Sequence, residues 1–216
     1  MSSHCIFNSR ISPVALAVAM VCASIFQAKA LPLGGQTTSG SATITHSPQV
    51  TSIQQNSQKA AIQWSTFNVA PNEMVKVSQP NSNSVLLNRV TSLEPSQIFG
   101  TLTANGQVFL INAHGVLFGP GANVNTAGFL ASTLDIKDSD FDANRYQFMG
   151  KSTASIINQG ELKSDGGYVA LLRSSVHNQG KIEAPMGSVV LASGQAIAME
   201  IMAGGLLNVH VSEGAL

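Results

Sequence analysis

The chain has 216 residues, with 11 basic side chains against 11 acidic ones, and only 10% of it is charged, well under the usual ~25%. No basic cluster is present to bind nucleic acid. Both cysteines, Cys5 and Cys22, fall in the first thirty residues, so whatever follows can have no disulfide, thiolate zinc site or cysteine nucleophile.

Those first thirty residues read as a secretory leader. Arg10 precedes a mainly apolar run over residues 11–26, and Ala28-Lys29-Ala30 puts small residues at the −3 and −1 positions of a cleavage site. The run is shorter than the roughly 20 residues that span a bilayer. The expectation is cleavage after Ala30 and a mature domain over 31–216.

Residues 31–72 open with a Gly/Ser/Thr-rich lead, alternate through Ala42-Thr43-Ile44-Thr45, and carry the only tryptophan at Trp64, close to Phe67. A stacked β-structure needs a cap where its apolar interior would meet water. This region is expected to be that cap, with Trp64 and Phe67 covering the end of the core and coils following over 73–216.

Short apolar pieces bounded by glycine begin near Gly100-Thr101-Leu102 and recur at Gly106-Gln107-Val108-Phe109-Leu110 and Gly115-Val116-Leu117-Phe118-Gly119. Residues 132–151 break the series. Asp135, Asp138, Asp140 and Asp142 crowd into them, and they are expected to form a polar excursion between coils.

Beyond the excursion lies a repeat. Residues 156–173 align with 176–193 at a fixed offset: Asn158-Gln159-Gly160 falls on Asn178-Gln179-Gly180, Gly167 on Gly187, Val169 on Val189, Leu171 on Leu191 and Leu162 on Ile182. A unit this short cannot bury its own apolar face and must stack on its neighbour. Apolar positions alternate as in half-buried strands, and glycine recurs as it would not inside helices. The reading is an all-β fold, a right-handed single-stranded parallel β-helix with an N-terminal β cap. Val169 and Val189 would share one interior column, Leu171 and Leu191 another, and Asn158 would bond to Asn178 in an amide ladder. Val209 and Val211 take up the same phase and predict one further coil. No capping pattern follows them before Leu216, so the chain is expected to be the front part of a longer protein.

The residues resemble a known family. Ser78-Gln79-Pro80, Val85-Leu86-Leu87-Asn88-Arg89-Val90, the gapless run from Pro95 to Asn112, Gly115-Val116-Leu117-Phe118-Gly119-Pro120-Gly121-Ala122 and Gly128-Phe129-Leu130-Ala131-Ser132-Thr133 resemble the N-terminal domain of filamentous haemagglutinins. So does Gln54-Gln55-Asn56-Ser57-Gln58-Lys59-Ala60 upstream. The resemblance spans the mature chain. It implies a non-catalytic two-partner secretion module of a Gram-negative bacterium, delivered by the general secretion machinery to the periplasm. An outer-membrane β-barrel transporter with POTRA domains would recognise it and pass it to the cell surface or medium. The exported whole would be an adhesin, haemolysin, haem-binding protein or toxin, with any host receptor or glycan met by a downstream region. The family's Asn-Pro-Asn-Gly turn stands here as Asn112-Ala113-His114-Gly115, which keeps the outer Asn and Gly that carry the turn chemistry.

Other chemistry is thinner. Parallel β-helices also host carbohydrate-active enzymes, and Asp140 with Asp142 is the pair to consider for one. Alternating acids also suit calcium, although the glycine and terminal Glu of the usual loop are missing. His46, His114, His177 and His210 are scattered, and His114 or His177 would be the ligand if haem were bound. No catalytic residue, cofactor or metal site is assigned.

Overall fold

The structure, a computed structural model, describes residues 30–173 and 175–213. Residues 1–29 of the leader, Ala28 among them, and the last three residues lie outside them. The chain winds as a right-handed β-solenoid of about 6 turns.

Two strands open the chain, β1 (Gln36–Ser39) and β2 (Ala42–His46). The first full coil is β3 (Val50–Gln55) with β4 (Lys59–Trp64). It pairs in parallel with β5 (Met74–Ser78) and β6 (Val85–Val90) of the next. Strand β7 (Ser96–Ile98) closes that coil. Then come β8 (Thr101–Ala104), β9 (Gln107–Asn112) and β10 (Val116–Phe118), and after them β11 (Asn123–Thr126) and β12 (Gly128–Ser132). The chain leaves the solenoid for β13 (Asp135–Ile136), a short helix α1 (Asp138–Asp142) and β14 (Tyr146–Met149). It returns with β15 (Ile156–Asn158), β16 (Glu161–Ser164), β17 (Tyr168–Leu172), β18 (Val176–Asn178), β19 (Lys181–Glu183) and β20 (Ser188–Ala192). A hairpin of β21 (Ala196–Ile201) and β22 (Leu207–Glu213) ends the described part.

Each coil contributes one strand to each of two long walls, and the middle coils add one to a short third. The first long wall runs β2-β3-β5-β8-β11-β16-β19, the second β1-β4-β6-β9-β12-β17-β20, and a shorter third runs β7-β10-β15-β18. Stacking is in register as the repeat requires: Val169 pairs with Val189, Leu171 with Leu191 and Leu162 with Ile182. The Asn158 amide donates to Asn178 Oδ1 at 2.8 Å, twenty residues on, and Gln159 does the same to Gln179 at 2.9 Å. The repeat's glycines serve close approach. A Cβ on Gly187 would sit 1.5 Å from the Gly167 carbonyl oxygen, and one on Gly167 would sit 1.6 Å from that of Ala127.

The first wall alternates, with Val75, Val77, Leu102, Val124 and Leu162 inside and polar side chains outside. The second wall is buried on both faces, so its strands read as continuous apolar runs: all five residues of β12 and of β17 are buried. Its inner face completes the solenoid core with Ile62, Leu86, Val108, Phe129 and Val169. Its outer face meets a second core.

Three expectations are corrected here. First, residues 132–151 do leave the coils, but the excursion is apolar rather than polar. Leu134, Ile136, Phe141, Tyr146 and Phe148 pack on Leu87, Phe109, Leu130 and Tyr168 of the second wall. The acids that made the segment look solvated lie on its outer side. Second, the last coil does not form. Strand β22 pairs antiparallel with β21, so Val209 faces Met199 instead of continuing the Val189 column. The third copy lacks the Asn-Gln-Gly found where β15 and β18 end. Gly204 and Gly205, at φ 76° and 72°, turn the chain back instead. Val189 and Leu191 therefore end their columns 47% and 50% exposed. Third, the parallel stack starts at β3, earlier than residue 73. Strands β1 and β2 pair antiparallel with β4 and β3 and form the lid of the stack. Trp64 and Phe67 lie beneath that lid, edge to face at 5.6 Å. The Trp64 indole N–H donates to Asn88 Oδ1 at 3.0 Å, which satisfies two buried polar groups at once.

Candidate partner-recognition surface

The turn over residues 112–115 is set by its asparagine. Asn112 is fully buried. Its side-chain amide donates to the Glu94 carbonyl at 3.1 Å and to Ser96 Oγ at 3.0 Å. Its Oδ1 accepts from the His114 N–H at 2.9 Å, and its own carbonyl accepts from the Gly115 N–H at 3.0 Å. The side chain thus fastens the turn and ties it to the coil above. Gly115 takes φ 110°, and a Cβ there would press on the Ser155 carbonyl at 2.9 Å. Ala113 and His114 project into solvent from this fixed base.

Asp135, Asp138 and Asp140 line one open pocket together with Arg89, and each of the three is paired with an arginine. Arg89, on the outer face of β6, reaches Asp135 at 2.9 Å, Asp138 at 2.8 Å and the Ile136 carbonyl at 2.6 Å. Burial opposes the Arg89 charge, but its bonds to Asp135 and then Asp138 outweigh this, and its pKa lies above the ordinary guanidinium value. Asp140 pairs with Arg145 at 2.8 Å. Asp142 Oδ1 accepts from Ser39 Oγ at 3.4 Å. Two of these acids latch the added layer to the solenoid. Lys59 completes the latch by donating to the carbonyls of Phe141 and Asp142 at 2.6 and 3.1 Å, where α1 ends. Burial lowers its pKa, against the pull of Asp142.

The histidines stay apart. His46 contacts Thr51 Oγ1 and His177 contacts Ser175 Oγ, both at 3.0 Å, while His114 sits on its turn and His210 on β22. Among the described residues no three His, Cys, Asp or Glu side chains are placed to share a metal ion.

Unpaired backbone offers another kind of site. Strand β2 is the outermost member of the first wall and, as a strand, pairs only with β3. Its polar side chains alternate along an open edge, a surface that accepts an added strand. Strand β9, an uncharged and largely apolar segment, is central, held between β6 and β12. Of the two, the fold leaves only β2 accessible along its edge.

Comparison with known proteins agrees with this arrangement. The chain matches the family described as TPS secretion domain over residues 28–212. It is 36% identical to the HMW1 secretion domain of Haemophilus influenzae, whose crystal structure superposes with a TM-score of 0.76 over 85% of this chain and 49% of that one. It is also 35% identical over 182 residues to a heme/hemopexin-binding protein of Haemophilus influenzae, covering 80% of this chain and 20% of that protein. A second protein of the same name and species is 46% identical over 96 residues, 44% of this chain and 10% of its own length. The chain thus spans about a fifth or less of the curated relatives it matches. It belongs to the TPS secretion domains, the secretion-signal modules of proteins exported across the outer membrane.

Proposed function

We propose that this module is recognised in the periplasm, after delivery by the general secretion machinery, by an outer-membrane β-barrel transporter, and that the POTRA domains of that transporter read it as an extended chain. It has no catalytic role in this reading. The observation that carries the proposal is the contrast between β2 and β9. Strand β2 offers a free edge, whereas β9 offers its backbone only before the coils close. Every wall is built by pairing between successive coils, and structures dominated by such non-local contacts fold slowly. An unclosed chain can then add either segment to a POTRA sheet edge. The Asn112–Gly115 turn acts later, when it sets the corner on which the third coil closes. In a binding assay with the isolated POTRA domains, chain freshly diluted from denaturant should bind and the refolded domain should bind more weakly. Binding by the folded domain alone would sink the proposal.

The similarity to proteins named for haem and hemopexin binding favours one reading of the exported whole, namely that it serves haem acquisition rather than adhesion. Capture of hemopexin by the full secreted product, and not by this module alone, would support it. Haemagglutination without hemopexin binding would favour the adhesin reading.

A further inference from the structure

The first coil holds a buried carboxylate whose partners are all backbone amides. Pro71 and Asn72 sit at the centre of a tight turn in which the Glu73 N–H donates to the Ala70 carbonyl at 3.0 Å. Asn72 takes φ +67°, the left-handed value that the third position of a type II turn requires, while proline suits the second. The turn folds the Glu73 side chain back over its own start. Glu73 Oε2 accepts from the Ala70 N–H at 2.9 Å. Both oxygens accept from the Ala30 N–H, at 3.3 and 3.2 Å. Glu73 is 6% exposed, and among the described residues no Lys, Arg or His side chain pairs with it. The chain leading away from Ala30 is equally fixed. Leu31 and Pro32 are buried, and Leu33 bonds through its backbone to Thr66 and Ser65.

A carboxylate buried among amides lacks a counter-charge, and buried charges are ordinarily paired. The leader reading places a scissile bond beside this one. Hydrolysis of the Ala30–Leu31 peptide takes up one water and yields a carboxylate on Ala30 and an ammonium on Leu31. That nitrogen lies a single residue, about 3.8 Å of chain, from the one now bonded to Glu73. We propose that the Glu73 carboxylate is the docking site for the α-ammonium of the processed chain. Removal of the leader then completes an ion pair at the first coil and fastens the β1–β2 lid over Trp64. The unprocessed chain has only a neutral amide at this point, so the lid is held less firmly until the leader is gone. Capture of a terminal amine by fixed acceptors is an established recognition mode, applied here by a protein to its own new end. The inference rests on the leader reading.

The test uses the full 216-residue chain, exported with its own leader, purified after processing and sequenced from its N-terminus. An amine-selective reagent near neutral pH then reports the free α-amine. An ion pair that raises the amine by one pKa unit makes labelling about tenfold slower than in the denatured chain. Slowing of that size in the wild type, lost in E73Q with the β-sheet circular dichroism intact, is the expected result. Should E73Q not fold, an insertion of Gly-Ser-Gly-Ser-Gly-Ser after Ala30 carries the amine several residues beyond the position that Glu73 bonds and should restore fast labelling. Wild-type labelling as fast as in the denatured chain overturns the inference, and so does slow labelling that persists when the amine is moved. A processed chain that begins elsewhere than Leu31 overturns the leader reading along with it. One that begins at Leu31 and labels fast overturns the inference alone.

Discussion

The two long walls of the solenoid have the same number of strands and opposite surroundings. The first keeps the pattern of a half-buried sheet: β11 and β16 bury every second residue and leave asparagines, lysine and glutamate outside. The second is apolar on both faces because another layer covers it, made of β13, α1, β14, β21 and β22. The difference shows that a β-helix wall is apolar according to what lies against it, and that an unbroken run such as Val108-Phe109-Leu110-Ile111 implies a neighbour on each side.

The sharpest way to break the comparison is to place a charge in the shared interior. Val169→Asp buries an unpaired carboxylate between coils and should cost about 4 kcal/mol or more, enough to prevent folding in a denaturant titration. Near-normal stability would mean that the column does not face inward. Phe109→Ala tests the other face of the same wall. Its ring meets Tyr146 at 5.3 Å and Phe141 at 6.3 Å, both edge to face, and losing it should cost about 3–5 kcal/mol. A cost under about 1 kcal/mol would show the added layer to be loosely docked.

Smaller changes probe how the layer is held. Arg89→Ala should cost about 1–2 kcal/mol, since its aspartate partners are more than half exposed while the Ile136 carbonyl loses its donor. Proteolysis should then cut first between residues 135 and 145, and a cut elsewhere would move the latch to another residue. Tyr168 gives the pH handle. Burial holds its hydroxyl well above its ordinary pKa, with a smaller push from Tyr146. The native chain keeps that proton where the unfolded chain loses it, so stability is full below about pH 10 and falls as pH rises further. Tyr168→Phe should flatten that alkaline fall and cost about 1 kcal/mol at neutral pH through the bond to Gln107. An unchanged alkaline limb would assign the fall to another group. Val189→Asp should have the smallest effect, about 1 kcal/mol or less, because its column ends half exposed. A cost equal to that of Val169→Asp would mean that a further coil covers it.

Much of the solenoid was legible in the residues. The offset between Asn158-Gln159-Gly160 and Asn178-Gln179-Gly180 gave the register and the amide ladder. The second layer was not, because Asp135, Asp138, Asp140 and Asp142 drew attention from the alternation of Tyr146-Gln147-Phe148. The signal that could have found it was the double-faced apolar run of β9, β12 and β17, which no single coil can bury. Val209 misled in the opposite way: apolar phase alone cannot tell a stacked strand from a hairpin strand, and Gly204-Gly205 was the turn signal that mattered. In the recognition surface, the buried side-chain bonds of Asn112 follow from the turn motif, whereas the free edge of β2 depends on which strands pair, which local pattern does not encode.

The most direct measurement of the central claim is export itself. The 216-residue chain, with its leader, is fused to the N-terminus of a reporter and expressed in a Gram-negative host, with and without its transporter. The account predicts that the reporter appears in the medium or on the cell surface only when both chain and transporter are present, and that it stays in the periplasm otherwise. Equal release without the transporter, or periplasmic retention with it, would contradict the assignment of this chain as the module that the transporter reads.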